Sequence, residues 1–147
     1  MRRLPAVLVL LLACAPQLHP TDVSLQAVFE TQRETFQSLL TEFLATHALL
    51  DDQSGTREAW KAKWLRWRPM MEKVGVRFIL RRASGSVMFE VSDHGAFEGD
   101  SSKGYEYSEK VLEPSVESLD GIELGCDQIF YSKLQDNWYL YLHSNCS

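Results

Sequence analysis

With three cysteines among 147 residues, and neither a CxxC pair nor an HExxH segment, the chain offers no zinc-binding spacing. There is no GxSxG elbow, no SxxK, no P-loop and no GxGxxG, which removes the usual sequence grounds for a serine hydrolase, a nucleotide-binding fold or a dinucleotide enzyme. Histidine is sparse as well: His19, His47, His94 and His143 stand singly. No metal or other cofactor is expected. No apolar run approaches the roughly 20 residues that a membrane-spanning helix needs. What remains is an ordinary globular composition, 45% hydrophobic and 24% charged, with room for one core.

The net charge of -5 conceals an uneven distribution. Residues 15–56 carry -5 and residues 83–147 carry -9, whereas residues 57–82 hold nine Lys or Arg against Glu58 and Glu72 and so carry +7. A basic block of this kind serves either as a surface for an anionic partner or as the counterpart of acidic loops in the same fold.

The N-terminus supplies a compartment. Met1-Arg2-Arg3 is a positive n-region and Leu4 to Ala13 an apolar h-region, the layout of a secretory signal at residues 1–13. Two cleavage patterns compete. Ala13-Cys14-Ala15 satisfies the small-x-small rule of an ordinary signal peptide, but that cut places the disfavoured Pro16 first. Leu11-Leu12-Ala13-Cys14 resembles a bacterial lipobox, and the resemblance, confined to the first fourteen residues, implies lipid attachment at Cys14 and a membrane as partner. Residues 14–20 then form the lipidated cysteine and its tether, and residues 21–147 the folded domain. Ala15 is not the aspartate that retains Gram-negative lipoproteins at the inner membrane, so sorting to an outer membrane is allowed. The alternative is plain secretion. Setting Cys14 aside leaves Cys126 and Cys146 as an even pair in an oxidising compartment, so a disulfide between them is expected.

The periodicity along the rest of the chain predicts an α+β fold, with an N-terminal helical hairpin packed on a four- or five-stranded antiparallel sheet. Leu25, Val28, Phe29, Phe36, Leu39, Leu40, Phe43 and Leu44 recur at helical spacing, which predicts one long helix to about Leu50, capped by Thr21 or Asp22. Asp51 to Thr56 breaks it. A second helix starts near Arg57, with Pro69 expected to kink or restart it and Gly75 to end it. Residues 76–82 and 87–92 read as a β-hairpin, residues 93–103 as a polar loop, Tyr105 to Ser108 as a short strand and residues 113–120 as a helical turn. Ile129 to Leu134 and Trp138 to His143 form the last hairpin. The stretch GYEYSEKVLEPSVESLDG and the later NWYLYL resemble tails of small bacterial proteins, a likeness that implies no function.

Four residues outside the cysteines are candidates for binding. On the second helix, Trp60, Trp64 and Met71 are assigned to the core, while Trp67, between Arg66 and Arg68 and next to Pro69, is assigned to the surface, where an indole among cations suits an anionic membrane or envelope polymer. Export leaves no place for nucleic acid as a partner. His94 sits among Asp93, Glu98 and Asp100 and could act as a base. The tail aromatics alternate, so half should face the core and half the outer side of the sheet, where an exposed row would suit an envelope protein. Three functional readings follow. The first is a non-enzymatic envelope binding module. The second is a small exported hydrolase using the His94 loop, which requires His94 not to stand alone. The third is a subunit of an envelope or secretion assembly, packed through the long first helix.

Overall fold

A computed structural model of the chain describes residues 19–50, 57–96 and 99–146. The signal segment, Cys14, most of the tether and the 51–56 breaker lie outside the described residues. Helices α1 (Asp22–Thr31), α2 (Arg33–Leu50) and α3 (Arg57–Val74) precede strands β1 (Phe78–Arg81), β2 (Val87–Ala96), β3 (Gly99–Tyr107), β4 (Ile129–Gln135) and β5 (Trp138–Asn145). The strands form one antiparallel sheet in the order β1-β2-β3-β5-β4, with the helices against one face. This is the α+β architecture expected from the sequence.

Thr21 caps α1, its hydroxyl accepting the Ser24 N–H at 3.1 Å. The expected long helix is instead two helices that meet at Gln32, whose backbone leaves the helical region. Just before it, the Thr31 hydroxyl donates back to the Ala27 and Val28 carbonyls, a bonding pattern that bends helices. The bend keeps Phe29 and Phe36 together, with ring centroids 5.3 Å apart, over Tyr105 and Trp138. The helix-period residues from Leu25 to Leu44 are buried or half-buried there. The first helices thus spend their apolar side on their own sheet.

Helix α3 runs unbroken through Pro69, so the proline does not restart it. It ends where expected, at Gly75 with φ +70, as the Val76 N–H donates to Met71 and the Gly75 N–H to Glu72. Glu42 ties α2 to α3, accepting from Arg66 Nη2 at 3.1 Å and from Trp67 Nε1 at 3.2 Å. Trp67 is therefore not at the surface but 2% exposed, packed on Phe43, whereas Trp64, assigned to the core, is 39% exposed. Helix geometry explains the exchange. Trp67, Met71 and Val74 form one inward stripe, and Trp64 lies at its edge, about 60° around the helix from Trp67. The side chain of Trp60 lies outside the described residues.

In place of the polar loop expected at 93–103, residues 93–96 and 99–103 continue the sheet, with Asp93 paired to Ser102 and His94 to Ser101. A bulge after Glu90 precedes them, changing which residues face the helices. The 113–120 segment is not helical. It runs beside β4, where Tyr131 N–H donates to Pro114 and Val116 N–H to Tyr131. On the outer face, Tyr131, Tyr139 and Tyr141 are buried with Met88 and packed by Leu112 and Ile129, so these aromatics form no exposed row. Glu106 is fully buried among them, bonded to Ser86 at 2.6 Å and 3.3 Å from Arg82. Burial raises its pKa, more than its Ser86 and Arg82 partners lower it.

Candidate functional site

The end of the sheet at which β2 finishes and β3 begins brings together two histidines and two serine hydroxyls. The bulge after Glu90 is the local cause. Before it, odd-numbered residues Val87 and Phe89 face the helices; after it, the register pairs Ser92 with Lys103 and His94 with Ser101, which places these side chains on the helix side. His19, from the segment that leads into α1, lies across them. Its Nδ1 is 2.7 Å from Ser92 Oγ and its Nε2 2.8 Å from Ser101 Oγ, and its ring meets that of His94 edge-on at 4.9 Å. A neutral imidazole satisfies both hydroxyls, donating from one nitrogen and accepting at the other. Burial, with His94 and Lys103 nearby, lowers the pKa of His19 to about 4, so the ring is neutral at ordinary pH.

Lys103 stands next in line on β3. It is 2% exposed, yet its ammonium lies 2.7 Å from both Asp22 Oδ1 and Asp120 Oδ1. Asp22 also accepts from the Leu119 N–H and the Ser118 hydroxyl, while its own N–H donates to Asp120. Burial works to raise the pKa of Asp120, but the Lys103 ammonium and the Asp22 N–H outweigh it and hold the carboxyl below the usual range. The network clamps the start of α1, β3 and the 118–120 segment to one another. Each charge has a partner, so its role is to hold the wall of the site.

Beside this clamp opens a cleft of about 390 Å³. Ile122, Leu124 and Leu142 give it an apolar lining, His19, Ser101 and Ser144 a polar one, and the disulfide Cys126–Cys146 borders it. The Cα atoms of the two cysteines are 5.1 Å apart, and the bridge ties β5 to the segment before β4. A disulfide forms and persists in an oxidising compartment, as expected of an exported chain. Among the described residues no helix is long and apolar enough to cross a membrane.

Of the residues singled out from the sequence, His94 belongs to this site and does not stand alone. Arg66 and Arg68 are exposed on α3, where Arg68 pairs with Glu72 at 2.9 Å, and Trp67 is interior. His19 stands singly in the sequence, and nothing there marks it, Ser92, Ser101 or Lys103 as site residues. His19 reads as tether, and Ser92 joins Ser101 and Lys103 on one face only because a single bulged residue shifts the parity of β2.

The chemistry available is recognition through hydrogen bonds beside an apolar wall. Ser101 is within proton-transfer reach of His19, but a ring whose pKa is lowered to about 4 is a weak general base. No group of three His, Cys, Asp or Glu side chains that could hold a metal ion occurs among the described residues. No protein family, curated protein or solved structure matches this chain.

Proposed function

We propose that this chain is an envelope lipoprotein, held to a membrane through Cys14, and a non-enzymatic binding module that takes a small, partly apolar ligand into the cleft beside the disulfide. The observation that carries the binding reading is the cleft itself, within the size range of small-molecule sites and combining three apolar side chains with convergent polar groups. The Cys126–Cys146 bridge supports export. The anchor rests on the Leu11-Leu12-Ala13-Cys14 pattern.

Mass spectrometry of the membrane-extracted chain tests these parts separately. Under denaturing conditions the expected mass lacks residues 1–13, carries a diacylglyceryl group on Cys14 and is two hydrogens short. Under native conditions the expected spectrum adds a non-covalent ligand, which Leu124→Trp, filling the cleft, removes. A chain bearing no lipid defeats the anchor. A native spectrum with no ligand, or a ligand that Leu124→Trp leaves in place, defeats the binding reading.

A further inference from the structure

The outward side of α3 carries a surface that no other described element covers. Trp64 and Leu65 are 39% and 56% exposed, and among the described residues they are the only large exposed apolar side chains adjacent in sequence. Lys61 and Arg68, both exposed, lie three or four residues on either side of them and share their stripe of the helix. The core cannot account for this stripe, because Trp67, Met71 and Val74 already fill the inward side.

We infer that this stripe of α3 rests on the surface of an anionic lipid bilayer, with Trp64 and Leu65 at headgroup depth and Lys61 and Arg68 beside lipid phosphates. Three features favour a bilayer. Indole and aliphatic side chains flanked by cations are the composition of interfacial helices. Helix α3 itself carries six Lys or Arg against Glu58 and Glu72, net +4, while residues 15–56 and 83–147 carry -5 and -9, so an anionic plane attracts this helix more than the rest of the chain. The Arg68–Glu72 pair, about two-thirds exposed on both sides, is weak enough to exchange for a phosphate. The inference draws its setting from the membrane location proposed above, but vesicle binding is read independently of lipidation.

Sedimentation of the full chain carrying Cys14→Ser with vesicles supplies the test. Residues 1–13 are common to every variant, so their own contribution cancels in the comparison. Partition onto phosphatidylglycerol-rich vesicles is expected to exceed that onto pure phosphatidylcholine by about tenfold or more and to fall as salt is raised. Lys61→Gln with Arg68→Gln should remove most of that preference. Trp64→Ala with Leu65→Ala should weaken partition about tenfold with an unchanged melting midpoint, since these side chains are exposed. Partition unchanged in both double variants, or equal on the two vesicle types, overturns the inference. Retention on immobilised heparin that the charge variants abolish, without vesicle binding, assigns the stripe to an anionic polymer and overturns it equally.

Discussion

Trp64 and Trp67 show how three residues of spacing separate a surface role from a core one. Both stand among cations on the same helix, and both fit a helical stripe that includes Met71. The decision falls to what α2 presents, Phe43 for the ring and Glu42 for the indole N–H. Replacing Trp67 by Ala removes a fully buried ring and its bond to Glu42, and should lower stability by about 3–5 kcal/mol. Trp64→Ala should change it by about 0.5 kcal/mol or less. Urea denaturation of both variants checks the contrast, and similar losses in the two would contradict the assignment. The core positions Leu25 to Leu44 were legible because a helix must bury a stripe somewhere. The tryptophans were not, because their stripe was wide enough to contain two centres.

Among the elements, β2 decides where the candidate site lies. Its bulge turns Ser92 and His94 toward the helices, and the segment before α1 docks on them through His19. This docking carries a pH dependence whose sign follows from the lowered pKa of His19. The unfolded ring takes up its proton near pH 6.5 and the folded ring only near 4, so between these values the unfolded chain binds more protons. The stability that neutral His19 contributes is present above about pH 6.5 and is lost as pH falls toward 4. His143, also lowered by burial, acts in the same direction, whereas Glu106, raised by burial, acts in the opposite one. The comparison must therefore be between variants. His19→Gln keeps hydrogen-bonding groups without titrating, so its stability should fall less than that of the parent between pH 7 and pH 4.5, as read from urea midpoints. Parallel losses would show that the docked ring is not the titrating group. The strand pattern could not reveal this arrangement, because residues 93–103 are polar and contain Gly and Ser, the composition of a loop, and only the pairing of 93–96 with 99–102 and of 100–103 with β5 makes the described part of them sheet.

The whole molecule is closed at its C-terminal end by Cys126–Cys146, which spans 20 positions. In the chain-entropy account a loop of this size contributes roughly 3 kcal/mol by restricting the unfolded chain. Reduction with dithiothreitol, or Cys126→Ser with Cys146→Ser, should lower the unfolding free energy by about that amount in guanidinium titration, and an unchanged midpoint would argue against the bridge. The charge pattern is also resolved at this scale. Arg66 reaches Glu42 and Arg82 reaches Glu106, so part of the basic segment does meet acids elsewhere in the fold, while among the described residues the outward stripe of α3 meets only Glu72 of its own helix. By itself the sequence determined the α+β class, an N-cap at Thr21 or Asp22, the helix stop at Gly75, the terminal hairpin and the paired cysteines, because periodicity, capping and parity of cysteine number are local or countable. Tertiary structure alone decided which tryptophan is interior, that the His94 segment is strand, and that His19, Ser101 and the disulfide share one cleft. Each of these depends on what a second element places opposite, and no single stretch of chain carries that information.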